Sequence, residues 1–247
     1  MKINILASSS EGNSTHIYTE NTSILIDAGI SAKKIIELAG TATFDAVFVS
    51  HEHSDHVQGL GALGRKTGLK IYIHEPVFNK IKNNLKNCDV ELWPIGGTAK
   101  INDLEVISFS SRHDSAYSCG FIIQENTKKL AYLTDTGSWT KLMAKHMINC
   151  SGYIIEADYD YDSLMAYEEY DDYLKERISS DWGHLGNNQT VALIKHLKIK
   201  DPAFVVFAHI SPRTNTPDLV LKSAFEAFPS WDKNIFYTAP TKKILEL

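Results

Sequence analysis

The sequence predicts an α/β fold in which sheets are layered with helices, and three observations carry that prediction. Short runs rich in β-branched and aromatic residues recur along the chain, each bounded by glycine or polar residues. Stretches with helical apolar spacing lie between some of them. Hairpin-like pairs are interleaved with strand-helix units, the pattern of sheets covered by helices.

In chain order, strands are expected over residues 3–6, 24–26, 46–49 and 70–73, with helices over 31–39 and 75–85. Strands over 104–109, 120–123 and 130–133 form the hairpin-like group. A helix over 139–148, a strand over 152–155, a helix over 187–197, a strand over 203–208, a helix over 216–228 and a strand over 235–238 complete the alternation. Asn187 and Thr216 are the expected N-caps of the last two helices, and Pro217 then occupies a first helical position, where its missing N–H costs nothing. Residues 159–182 interrupt the pattern with a dense run of Tyr, Asp and Glu, which reads as a solvated helical excursion or as an acidic flap facing substrate. No repeat or low-complexity linker divides the chain, so residues 1–247 are expected to form one domain.

Composition narrows the possibilities. A chain of 247 residues with 43% apolar content can fill a core, which excludes disordered and fibrous classes. With 25 Lys+Arg against 30 Asp+Glu, a net charge of -5 excludes a globally basic nucleic-acid coat. A metal, or a local channel built from Lys33, Lys34, Arg112, Lys128, Lys129, Lys175, Arg177 and Arg213, can still supply positive charge where it is needed. No apolar run reaches the roughly 20 residues that span a bilayer, and no basic start precedes an apolar core. Cys88, Cys119 and Cys150 form neither a paired set nor a metal knuckle and read as reduced thiols, so a soluble cytoplasmic protein is expected.

The count that stands out is 10 His. Four of the site candidates fall in Ser50-His51-Glu52-His53-Ser54-Asp55-His56, directly after an apolar strand. Imidazoles two residues apart on an extended turn can grip one metal, and the Asp and His that follow begin a helix and can reach a second. Two adjacent cations suit hydrolysis, because they lower the pKa of water and offset charge on the attacked centre. Further ligands are sought at other strand ends, where His113, Asp135 in Leu133-Thr134-Asp135-Thr136-Gly137, and His209 stand. The expected sets are His51, His53 and His113 on one metal and Asp55, His56 and His209 on the other, with the two oxygens of Asp135 bridging them. Taken alone, each of the three distant residues would read as a hydrogen-bonded strand end. His74, His146 and His196 have no partners at ligand spacing and read as packing residues, and Cys119 reads as a small buried hydrophobe.

These motifs, in this order, resemble the metallo-β-lactamase superfamily. Closer still, Leu6-Ala7-Ser8-Ser9-Ser10-Glu11-Gly12-Asn13-Ser14-Thr15, Ile26-Asp27-Ala28-Gly29, the stretch from Leu174 through Ser180-Asp181-Trp182-Gly183-His184 to Asn187, and Phe207-Ala208-His209-Ile210-Ser211 with Asn215-Thr216-Pro217 resemble the WalJ/YycJ group. That group is linked to DNA exonuclease activity and related to RNase J and tRNase Z. The resemblance implies an αββα sandwich of two mixed β-sheets flanked by helices, a dinuclear site holding zinc or manganese, and a nucleic-acid substrate cut at its phosphodiester bonds. It implies that Glu156 and His184 pair near the leaving group, His184 as the proton donor, so that Asp55, Glu156 and His184 are the catalytic candidates. It further implies that Asp27 supports the ligands from behind, with Asn13, Ser9 and Ser10 shaping the rim. Gly186 departs from the group's pattern, which has serine there.

Three other readings compete. One is hydrolysis of a small (cyclic) phosphodiester or an ester-like metabolite; another is a metal-binding interaction module without turnover. The third is di-iron redox chemistry, which uses a carboxylate where His53 stands; the imidazole favours zinc or manganese hydrolysis instead.

Overall fold

In a computed structural model, which describes residues 1–241 and 243–247, two seven-stranded sheets pack face to face with helices on both outer faces. The first sheet is built from β1 (Lys2–Ala7), β2 (Ser14–Tyr18), β3 (Ser23–Ile26), β4 (Ala46–Phe48), β5 (Lys70–His74) and β6 (Asp89–Trp93). Helices α1 (Ala32–Ala39), α2 (Ser54–Val57), α3 (Leu60–Thr67) and α4 (Glu75–Ile81) are interleaved with these strands. The second sheet holds β7 (Thr98–Ile101), β8 (Leu104–Ser110), β9 (Cys119–Glu125), β10 (Lys128–Leu133), β11 (Gly152–Glu156), β12 (Phe204–Ala208) and β13 (Phe236–Thr238). Its helices are α5 (Lys141–Met147), α6 (Tyr161–Ala166), α7 (Asp172–Ser179), α8 (Asn187–Leu197) and α9 (Pro217–Ala227); β14 (Leu245–Glu246) returns to the edge of the first sheet.

Alternation within single strands explains the layering. On β4, Ala46 and Phe48 face the inter-sheet core, while Val47 and, just past the strand, Val49 face the helices. On β12, Phe204, Val206 and Ala208 face inward while Val205 and Phe207 meet the outer layer. Because both faces are buried, these strands read as unbroken apolar runs. The resemblance therefore predicted the architecture correctly.

What aims the site is strand direction. β3 to β6 run parallel, as do β10 to β13, so the carboxyl ends of neighbouring strands come together in each sheet. Loops leaving those ends are where open α/β sheets place their ligands.

Several elements differ from expectation. β6, β7 and β14 were not foreseen; all three are sheet edges, where one-sided pairing leaves no continuous apolar run to read. β2 is central but carries buried Ser14, Thr15 and His16, which disguised it as loop. Helix α3, with Gly61 and Gly64 inside it, was also missed: a side chain at Gly61 would strike the Asn84 carbonyl oxygen at 2.2 Å. Gly186, rather than Asn187, caps α8, while Thr216 caps α9 as expected, its side chain accepting from the Leu219 N–H.

Candidate metal centre

The site lies where six loops meet. After β4 the chain runs extended through His51 to His53 and then enters α2, which carries Asp55 and His56. His113 follows β8, Asp135 follows β10, Glu156 ends β11 and His209 follows β12. Asp27 leaves β3, and Asn13 sits in the loop between β1 and β2. Asp27, Asp135 and His209 all adopt left-handed backbone conformations, with φ of 59°, 56° and 54°. Such angles are uncommon outside glycine, though Asp and His tolerate them better than most residues. At the end of a strand, the left-handed turn redirects the chain just where the functional side chain is placed.

Ligand-type atoms gather into three sets, each within 4.8 Å, of which the second and third share Asp135 and His209. His51, His53 and His113 form the first; Asp55, His56, Asp135 and His209 the second; Asp135, Glu156, His184 and His209 the third. Asp135 sits between imidazoles from different sets: its Oδ2 is 3.2 Å from His56 Nε2, and its Oδ1 is 3.4 Å from His209 Nε2 and 3.9 Å from His113 Nε2.

The imidazoles are held from behind in a common way. His56 Nδ1 meets Asp27 Oδ2 at 2.8 Å, His113 Nδ1 donates to the Gly183 carbonyl at 2.9 Å, His209 Nδ1 meets Asp158 at 3.3 Å and His51 Nδ1 meets Ser50 Oγ at 3.0 Å. With Nδ1 occupied by the protein, each presents Nε2 to the interior, as histidine ligands do. His53 is the exception and offers Nδ1, 3.2 Å from His113 Nε2. His51 Nε2 and Asp135 Oδ2 are buried with no hydrogen-bond partner among the described residues. Buried polar atoms without partners are costly, and these two point into a cluster of donors. The residues therefore fit divalent cations.

Charge is divided unevenly. Burial holds His51 well below its usual pKa and His113 at about 4, so both keep a free lone pair. Burial opposes protonation of His56 and His209 too, but it is outweighed by the carboxylates together, Asp135 with Asp27 at His56 and Asp135 with Asp158 and Asp55 at His209. Asp135 is correspondingly held well below the carboxylate range: burial acts against ionisation, and the imidazoles of His209 and His56 overcome it.

Beside this cluster, His184 Nδ1 lies 2.6 Å from Glu156 Oε1. Glu156 is fully buried, and its Oε2 accepts the N–H groups of Thr136 and Leu185 at 2.9 and 3.2 Å. Burial pushes the Glu156 carboxyl up, and His184 works against that. For His184, burial acts to lower the pKa, yet Asp158 and Glu156 together hold it at about 9. That shift favours a protonated imidazole at His184.

Sequence reasoning missed several supports. Ser50 donates its N–H and hydroxyl to the two Asp27 oxygens, both at 2.8 Å. Ser8 Oγ accepts from the His209 N–H at 2.8 Å, and Asp158 backs the His209 ring. None carried a signal beyond its place beside a candidate. Asn13 lies at the site, its Nδ2 3.2 Å from Asp55 Oδ2, and it bonds twice with the Ser9 backbone; Ser10 is not among its partners. Gly186 replaces the expected serine because a Cβ there would meet the Tyr159 ring at 2.7 Å.

The expected cationic channel is not assembled as proposed. Lys128 and Lys129 begin β10, at the opposite end of the strand from Asp135. Arg112 and Arg177 do reach the lip, where Asp181 and Asp114 lie 4.0 and 2.6 Å from them. Residues 159–182 form α6 and α7, and α7 buries none of its residues. His74 is buried and stacks on Trp93, Cys119 is buried in the inter-sheet core, and His16 packs between Tyr18 and Phe44 away from the ligands. None of the described helices is long and apolar enough to cross a membrane.

Comparison with known proteins agrees with this fold. The sequence profile of the beta-lactamase superfamily domain matches residues 22–210. The exodeoxyribonuclease WalJ of Streptococcus pneumoniae serotype 2 (strain D39) is 34% identical over 229 residues, covering 88% of this chain and 84% of that protein. The exodeoxyribonuclease YycJ of Bacillus anthracis is 30% identical over 231 residues, covering 90% and 87%. Among solved structures, the metallo-beta-lactamase fold protein YhfI from Bacillus subtilis superposes with a TM-score of 0.78 at 16% identity, covering 100% of this chain and 99% of that one, which shows the shared fold.

Proposed function

The chain belongs to the beta-lactamase superfamily, with the WalJ and YycJ exodeoxyribonucleases as relatives, and from that membership we propose a metal-dependent phosphodiesterase that degrades DNA from an end. The observation that carries the reading is the His184–Glu156 pair, set against ligand sets that share Asp135. Metal ligands alone would suit many hydrolyses. A protonated imidazole beside them suits a leaving group that departs as an alkoxide, as a nucleotide oxygen does.

In this reading His51, His53 and His113 hold one divalent cation, Asp55, His56 and His209 hold a second, and Asp135 serves both. Zinc or manganese bound there would supply Lewis acidity, lowering the pKa of water and offsetting charge on phosphate. Glu156 fixes the His184 ring through Nδ1, which leaves Nε2 as the atom that gives its proton to the departing oxygen. Two backbone N–H groups and the imidazole favour the Glu156 carboxylate against the burial that raises its pKa. Asp158, behind His209, adds to the field that keeps His184 protonated. A cytoplasmic setting belongs to the same reading and is supported by three cysteines that all stand free.

The test is degradation of end-labelled single-stranded and duplex DNA and RNA with manganese or zinc added, comparing the protein with an Asp135→Asn variant. Stepwise, metal-dependent loss of nucleotides by the unaltered protein alone is the expected result. Intact polymers throughout, with metal bound, would exclude a nuclease and leave a small phosphodiester as substrate.

A further inference from the structure

Trp182 is mounted at the lip of the metal centre with 56% of its surface exposed. More than half of its surface is open to solvent, while the turn that carries it is closely tied down. The turn that carries it closes through the Gly183 N–H to the Ser180 carbonyl at 3.0 Å, and the next residue, His184, donates its N–H to Ile178 at 2.8 Å. Gly137, two residues after Asp135, packs so closely that a Cβ would meet Gly183 N and Ser180 O at 2.3 Å. Ser138 Oγ donates to the Asp181 carbonyl at 3.1 Å, and the Gly183 carbonyl in turn accepts from His113. The turn is thereby locked to a candidate metal ligand on one side and to the candidate proton donor on the other.

Arg112, next to His113, places its guanidinium 5.9 Å from the centroid of the Trp182 ring. Asp181 lies 4.0 Å from that guanidinium, and Asp114 pairs with Arg177 at 2.6 Å, so the charges of this lip largely cancel. Attraction for a phosphate backbone is weak here, whereas an aromatic face and a planar cation remain open to solvent. Flat, sequence-tolerant surfaces of that kind hold the bases of single-stranded nucleic acid by stacking.

We propose that Trp182, steadied by Arg112, is the platform on which an unpaired nucleobase near the cleaved terminus stacks, which makes a single-stranded end the preferred substrate. The inference rests on the nuclease reading above and adds to it a named subsite with a chemical preference. Trp182 is a binding residue in this scheme; the proton and the metals belong to other side chains.

The experiment uses metal-loaded protein and a single-stranded oligothymidylate labelled at both ends in separate samples. It is compared with oligomers carrying one abasic nucleotide first, second or third from the degraded end. On the unmodified oligomer, Trp182→Ala is expected to lose about 5- to 150-fold in kcat/KM, the range that stacking on one aromatic residue supports. Trp182→Phe should recover most of that loss. At one abasic position the unaltered protein should fall by a similar factor, and there Trp182→Ala should be no slower than the unaltered protein. Equal rates on the unmodified oligomer, or a Trp182→Ala penalty that persists at every abasic position, would overturn the platform. An unaltered protein that leaves every oligomer intact would instead overturn the nuclease reading, and the platform with it. Fluorescence gives a readout independent of turnover: a phosphorothioate oligothymidylate should quench the unaltered protein and not Trp182→Phe, and equal quenching in both would reject the proposal.

Discussion

Glu156 Oε1 lies 2.6 Å from His184 Nδ1, and the carboxylate is buried while the imidazole reaches solvent through its other edge. In the proposed reaction the pair would act in one direction, with Glu156 behind the ring and its Nε2 in front. Replacing His184 with Ala should leave metal content unchanged and slow cleavage by about two to four orders of magnitude, the range for general acid catalysis. Metal analysis beside single-turnover cleavage checks this, and parallel loss of metal would reassign His184 as a ligand.

Asp135 lies within 3.9 Å of His56, His113 and His209, and its left-handed backbone favours asparagine over alanine as a replacement that folds. Asp135→Asn should abolish turnover and lower metal occupancy. Because a ligand that binds only the folded state raises Tm, added manganese or zinc should stabilise the unaltered protein more than this variant. Near-normal activity in Asp135→Asn would refute a shared ligand.

Asp27 touches His56 at 2.8 Å and also takes two hydrogen bonds from Ser50, so it orients the ring without facing the second metal set itself. Asp27→Asn should weaken metal binding by about 10- to 100-fold, the usual cost of removing support behind a ligand. Competition with a chelator gives that constant directly.

Gly29 lies against the loop that carries Asp55: a Cβ at this position would stand 1.5 Å from the Asp55 carbonyl oxygen. Gly29→Ala must push that loop away, at a cost of about 1–3 kcal/mol. A lower Tm, with occupancy falling more at the Asp55–His56–His209 set than at the other, is the expected outcome in denaturation and metal titration.

Burial pushes the Cys119 thiol well above its usual pKa and the Cys150 thiol to about 12, while Cys88 is only partly buried. In native protein at pH 8 the first two should stay unreactive, because the thiolate is the nucleophile. Alkylation followed by peptide mapping should find label on Cys88 first and on all three after unfolding.

The chain displays its candidate metal ligands openly. His51, His53, Asp55 and His56 fall within one short turn after an apolar strand, and His113, Asp135 and His209 each follow a strand end, so local spacing sufficed to propose them. Glu156 and His184 were reached through resemblance, since 28 residues separate them and nothing local links them. Asp158, Ser8 and Ser50 stayed hidden because an isolated polar residue gives no sign of the ring it supports. Edge strands β6, β7 and β14 were hidden for another reason: paired on one side only, they have no need of the apolar pattern by which strands are read.

By itself, then, the sequence determined the α/β class, most of the inner strands and helices, and a list of candidate ligands, because burial imposes a period and metal chelation imposes a spacing. Tertiary structure decided which nitrogen each histidine presents, how Asp135 falls between two sets and where Trp182 is held. Those features depend on parallel strands bringing their carboxyl ends together, and on hydrogen bonds between residues tens to hundreds of positions apart, which leave no local pattern in the chain.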